Sequence, residues 1–149
     1  MEIISKRFEE LTVNELYMIL QARSEVFVNE QEIIYQDMDG IDLCSTHLFI
    51  TEKGKLCSYL RIIDEGVKYP EISIGRVLTL KPYRRRGLSR KLMEAAIEEV
   101  KERGLPIKIE AQAYLKEFYE NLGFEAVSDE FILEGIPHVE MIYSRDVKQ

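Results

Sequence analysis

The sequence predicts an α/β or α+β domain built on a single sheet. Apolar residues recur with periods of 2 and 3.6 in the segment order β-α-β-β-β-α-β-α-β-β. A basic turn carrying a glycine sits where a strand gives way to a helix. The chain has 149 residues, 46% of them hydrophobic, with no repeat, low-complexity stretch or linker. That is enough for one core, so residues 1–149 read as one domain.

Ile3–Phe8 alternates and reads as a first strand. Thr12 and Glu15 have capping-box spacing and open a helix whose apolar positions are Leu16, Ile19, Leu20 and Phe27, fading near Phe27–Gln31. Residues 32–45 carry Asp37, Asp39, Gly40 and Asp42 and read as irregular. His47–Glu52 and Lys55–Ile63 form strands around Lys53-Gly54. Glu71–Leu80 is a third long strand, ended by Pro82, which cannot donate to a ladder. A helix over Leu88–Arg103 stops at Gly104 and Pro106. Ile107–Ala111 is a short strand and Tyr114–Leu122 a short helix stopped by Gly123. Two strands near Glu125–Leu133 and Pro137–Ser144 close the chain.

A net charge of −7 disfavours non-specific binding to nucleic acid or membrane. No apolar run approaches the ~20 residues that span a bilayer, and residues 1–7 lack a signal-peptide core. Two cysteines, Cys44 and Cys57, are too few for a disulfide scaffold, so the expected location is a reducing cytoplasm. No metal-ligand spacing is visible, and no metal is expected.

The chemistry concentrates in Leu78-Thr79-Leu80-Lys81-Pro82-Tyr83-Arg84-Arg85-Arg86-Gly87-Leu88-Ser89-Arg90. A helix begins there, and its first N–H groups lack intrahelical partners and carry the positive end of the dipole. Gly87 lets a ligand approach the backbone, and the arginines add charge, which together describe a pyrophosphate cradle. A solvated basic turn is the competing reading. A P-loop is excluded because Gly-Lys-Ser/Thr is missing, and a dinucleotide fingerprint because only one glycine is present.

Arg84-Arg85-Arg86-Gly87-Leu88-Ser89 resembles the Gln/Arg-x-x-Gly-x-Gly/Ala signature of the GCN5-related N-acetyltransferases, with Ser89 a departure from the usual Gly or Ala. Tyr119-Glu120-Asn121-Leu122-Gly123-Phe124 resembles that family's Tyr-x-x-x-Gly-Phe, and Gln112 sits where relatives often have an Asn against the pantetheine arm. The ElaA-type branch is resembled more closely, through residues 23–31, Tyr35-Gln36-Asp37-Met38-Asp39-Gly40, Ile74-Gly75-Arg76-Val77, Ala111-Gln112-Ala113 and Gly135-Ile136-Pro137-His138.

The resemblance implies the acyl-CoA N-acyltransferase fold, a mixed sheet splayed between the Glu71–Leu80 strand and its neighbour. Acetyl-CoA would be the co-substrate. Leu78 and Leu80 backbone would pair with pantetheine, and the Arg85–Arg90 amides would hold the pyrophosphate. The cofactor contacts expected are Leu78, Thr79, Leu80, Arg84, Arg85, Arg86, Gly87, Leu88, Ser89, Arg90 and Gln112. Tyr119 would protonate the leaving thiolate, where its residue-level alternative is a core aromatic. The acceptor, a primary amine of a small molecule or peptide, would meet Arg23, Phe27, Glu30, Asp39 and His138. Those charges could equally form a structural network with Arg61 and Arg76, since a charge in an apolar strand needs a partner. Glu110 lies beside the split with its facing open by one residue. A non-catalytic acyl-CoA sensor and an acyl-homoserine-lactone-synthase-like enzyme are the alternatives. A homodimer is compatible with the sequence, which does not fix the assembly.

Overall fold

The computed structural model describes residues 1–32 and 36–144. Tyr35 and the two residues before it, near the start of the irregular 32–45 segment, therefore lie outside the described residues.

Strand β1 (Glu2–Arg7) leads into helix α1 (Val13–Arg23). The capping box forms as its spacing predicts. The Glu15 N–H donates to Thr12 Oγ1 at 3.0 Å, and the Thr12 N–H donates to Glu15 Oε1 at 2.9 Å. Helix α1 then widens into a π-helical stretch over Ser24–Glu30, a geometry common at functional sites. Strands β2 (Ser45–Glu52), β3 (Lys55–Ile63) and β4 (Ile72–Thr79) form an antiparallel meander. Helix α2 (Leu88–Glu99), strand β5 (Ile107–Gln112) and helix α3 (Lys116–Glu120) follow. Helix α2 ends four residues short of the expected Arg103, where Lys101–Arg103 tightens into a 3₁₀ turn. The expected strand over Glu125–Leu133 is two pieces, β6 (Glu125–Ala126) and β7 (Phe131–Leu133), which pair with opposite ends of β8 (Ile136–Tyr143). The Ser128 hydroxyl between them accepts from the Glu140 N–H, breaking the run.

The sheet order is β1-β2-β3-β4-β5-β8-β6, with β7 also on β8. Every pairing is antiparallel except β4–β5, which is parallel and holds only at Ile72/Ile107 and Ser73/Lys108. Beyond those rungs the two strands part. A bulge in β4 opposite Leu60 shifts the register by one residue, with Arg76 in the left-handed region at φ 54°.

The sheet buries both faces. Helix α2 lays Leu92, Met93 and Ala96 on Ile50, Leu60, Ile72 and Ile107. Helix α1 sets Ile19 and Ala22 against Phe49, Tyr59 and Leu78 on the other face. Each fully buried aliphatic side chain contributes roughly 1.5–3 kcal/mol, so both helices are fixed firmly around the split.

Candidate active site

A cavity of ≈ 700 Å³ fills the gap between β4 and β5. It reaches from the basic turn before α2 to the point where the strands rejoin. At one end, Gly87 caps α2 at φ 71° with no side chain bonded to the first amides. A Cβ at Gly87 would meet nothing within 4 Å among the described residues, so the glycine serves the backbone turn and leaves open space before the helix. Gly87, Leu88, Ser89, Arg84, Arg85 and Arg90 all line the cavity.

The Ser89 hydroxyl does not crowd this space. It lies 2.7 Å from Thr79 Oγ1, which is 2.9 Å from Ser58 Oγ, and Ser58 donates to the Leu78 carbonyl at 2.8 Å. This relay pins α2 to β4 and β3. Arg84 donates to both Glu30 carboxylate oxygens, at 2.8 and 3.0 Å, and to the Thr79 carbonyl at 2.8 Å. Arg86 turns outward to Glu52 at 2.9 Å and is absent from the cavity wall.

One expectation is corrected by a single residue. The Leu80 N–H donates to the Cys57 carbonyl at 2.9 Å, and Leu78 is the register partner of Tyr59. Hydrogen-bonding groups alternate along a strand, so Leu78 and Leu80 point theirs at β3, while Val77 and the Thr79 N–H turn to the gap, the Thr79 carbonyl being taken by Arg84. The bulge at Arg76 sets this phase. Leu80 is also missing from the cavity wall.

Tyr119 lines the cavity from α3, buried, with Phe118 and Phe124 packed edge-on. Burial pushes its phenol up, so it stays protonated at neutral pH. Gly123 of the same motif cannot be replaced freely. Its φ is 107°, and a Cβ would lie 2.9 Å from the Tyr143 ring. Gln112 lines the cavity and donates to Gln31 Oε1 at 3.3 Å, while its own side-chain oxygen is buried without a partner among the described residues.

The structure divides the expected acceptor residues. Phe27, Glu30 and His138 line the cavity; Arg23 and Asp39 do not. Arg23 is fully buried and bonds Asp42 at 2.7 Å and Asp37 at 3.0 Å. Arg61 takes Asp39 in a two-pronged pair, at 2.6 and 2.9 Å, and Asp42 at 2.8 Å. Arg76 completes the cluster on Asp37 at 2.8 Å. Three arginines and three aspartates thus cancel. Burial opposes ionisation of Asp39 and Asp42, but Arg61 and Arg23 outweigh it and hold both carboxyls below the usual range. His47 abuts the cluster, its Nε2 3.0 Å from the Asp42 carbonyl and its Nδ1 2.7 Å from the Tyr59 hydroxyl. Burial lowers its pKa.

His138 Nδ1 lies 2.7 Å from the Ile136 carbonyl, which can only accept. A proton therefore sits on Nδ1, so Nε2 is the nitrogen left to face other partners. Glu110 also faces the cavity, resolving the one-residue ambiguity, and is held by Lys68 at 3.1 Å. Lys68 comes from the β3–β4 connection, whose sequence carries no motif.

Among the described residues no cluster of three or more His, Cys, Asp or Glu could hold a metal, and no helix is long and apolar enough to cross a membrane.

A split parallel rung, a bulged strand and a glycine-capped helix facing the gap define an acyl-CoA N-acyltransferase frame. Residues 9–145 match the acetyltransferase (GNAT) domain model. The chain is 40% identical over 141 residues to UPF0039 protein sll0451 of Synechocystis, covering 93% of this chain and 92% of that protein. It is 35% identical over 144 residues to protein ElaA of Escherichia coli, covering 94% and 93%. The crystal structure of an acyl-CoA N-acyltransferase from Pseudomonas aeruginosa superposes with a TM-score of 0.90 at 36% identity, covering 97% of this chain and all of that one. Escherichia coli ElaA superposes equally well, with a TM-score of 0.90 at 33% identity over 96% and 99%. The chain belongs to the GNAT family, in its ElaA-type branch. The acyl-homoserine-lactone synthase LasI shares the fold, with a TM-score of 0.81, but at 14% identity that likeness extends to the fold alone.

Proposed function

We propose that this chain transfers an acetyl group from acetyl-CoA to a primary amine of a small molecule or peptide, by direct attack while both substrates are bound. The observation that carries the reading is the continuous cavity joining the α2 N-terminus to buried Tyr119. Amides of α2, with Arg85 and Arg90, hold the pyrophosphate; the Val77 and Thr79 edge and Gln112 hold the pantetheine arm. His138 Nε2 is the group best placed to take a proton from the acceptor ammonium, since its other nitrogen is fixed by Ile136. A phenol pushed up by burial is a weaker acid than a thiol, so Tyr119 acts by hydrogen-bonding the departing sulfur as charge develops on it. The proposed setting is the cytoplasm, in keeping with the free thiols of Cys44 and Cys57.

Calorimetry with acetyl-CoA, followed by thiol release over a panel of primary amines, tests the reading. Binding with amine-dependent thiol release is expected. Binding without release from any amine would favour an acyl-CoA sensor. Tyr119→Phe should lower turnover by ~10²-fold or more while leaving acetyl-CoA affinity within a factor of a few. Unchanged turnover in that variant removes Tyr119 from the chemistry.

A further inference from the structure

The β3–β4 connection folds its side chains over the closed end of the split. Lys68 Nζ lies 3.1 Å from Glu110 Oε1 and 5.5 Å from the Tyr69 ring centroid, and both Lys68 and Glu110 line the cavity. Strands β4 and β5 are in parallel register at Ile72/Ile107 and Ser73/Lys108, so Glu110 is level with Gly75, just where they begin to part. The cradle opens beside Thr79, four residues or ~13 Å further along β4. An acyl-CoA arm entering at the cradle runs along the gap toward this closed end. Its thioester therefore approaches the place where a primary ammonium of the chain itself is already seated on a carboxylate.

We infer that Lys68 is a site of intramolecular acetylation, with Glu110 holding its ammonium and taking its proton. The inference rests on the acetyl-CoA reading above. The step balances as follows. The Lys68 ammonium passes one proton to the Glu110 carboxylate. The freed Nζ lone pair forms the N–C bond to the thioester carbonyl, and the C–S electron pair leaves with sulfur. The second Nζ proton ends on the thiolate, giving free CoA and a neutral amide; Glu110 returns its proton to water. Position favours Lys68 over lysines that do not line the cavity, because only an amine seated beside the thioester gains from pre-paid orientation. Acetylation removes the Lys68 charge and frees Glu110 to receive the ammonium of an external acceptor.

The test uses the full chain. Calorimetry first establishes acetyl-CoA binding. The chain is then incubated with acetyl-CoA, and intact mass and peptide mapping follow each lysine with time. Lys68 should gain one acetyl group about a hundredfold faster than Lys53 or Lys101, which lie off the cavity wall. The rate constant should not depend on protein concentration. Glu110→Gln should slow it about tenfold or more, and the heat-unfolded chain should lose the preference. Binding of acetyl-CoA with acetyl spread evenly over the exposed lysines, or absent from Lys68, overturns the inference and leaves the transferase reading intact. A rate that rises with protein concentration also overturns it. Failure to bind acetyl-CoA at all overturns the transferase reading itself.

Discussion

On the α1 side of the cleft, Arg23 and Arg61 have side chains about 1% exposed, and every charge near them is matched by Asp37, Asp39 or Asp42. On the α2 side, Arg84, Arg86 and Arg90 are 38–48% exposed and lean on single carboxylates, while Arg85 makes no ion pair among the described residues. The same residue type does opposite work in the two places. Buried arginines with fixed partners cannot turn to a ligand without abandoning charges that have no water to receive them. Exposed arginines with weak partners can exchange a carboxylate for a phosphate at little cost. Arginine count alone does not locate a site; the partners of each arginine do.

The contrast can be broken most sharply at Arg61. Arg61→Met leaves buried Asp42 with Arg23 alone and the more exposed Asp39 with only Arg76 at 3.5 Å, and should destabilise the fold by about 3 kcal/mol. Urea unfolding measures it, and a loss below about 1 kcal/mol would mean the cluster is solvated and replaceable. Acid acts on the same cluster without mutation. The unfolded chain binds protons that folded His47, Asp39 and Asp42 resist, so their contributions are present above the unfolded pKa values and lost as pH falls. Stability should decline first below about 6.5 as unfolded His47 protonates, then more steeply below about 4. Flat stability from pH 7 to 3 in urea titrations would contradict the network.

A change on the opposite side should leave stability nearly alone. Aspartate tolerates left-handed backbone better than most residues, so Gly87→Asp mainly adds a negative charge before α2. A unit charge at ~4 Å contributes about 1 kcal/mol even in water, so acetyl-CoA affinity should fall about fivefold or more. The loss should shrink in high salt. The smallest effect is expected at Glu30. Its carboxyl is held low by the Arg84 hydrogen bonds. Glu30→Gln releases Arg84 and should tighten acetyl-CoA binding a few-fold, with stability changed by less than about 1 kcal/mol. A raised KM for the amine, with acetyl-CoA affinity unmoved, would instead assign Glu30 to the acceptor.

The element order could be read from periodicity and spacing, because a capping box, a breaker proline and a glycine after a helix act locally; the two motifs carried meaning only through their resemblance to the family's signatures. The pairing of Arg61 with acids of the 32–45 loop followed from the cost of burying a lone charge. Three features were not legible. The π-helical widening at Ser24–Glu30 keeps the same apolar residues as an ordinary helix. The β4 bulge turns on a positive φ at Arg76, a residue type that gives no such signal. The approach of Lys68 to Glu110 depends on how a loop folds across the sheet. Each is decided by tertiary geometry, and the bulge alone moves the strand edge that faces the gap from Leu78 and Leu80 to their neighbours.

That bulge makes β4 behave like a wave with one half-cycle inserted. Ahead of it, Ile72 and Ile74 belong to the α2 layer; behind it, Val77 packs in that same layer while Leu78 joins the α1 layer. Removing one residue at this point would invert the parity of everything downstream. Leu78 would leave Ile19 and Tyr59, and Thr79 would turn away from Ser89, unfastening the start of α2. Lineages carrying this domain can therefore vary the bulge residue's identity more readily than its presence, and length changes within β4 should survive only in twos.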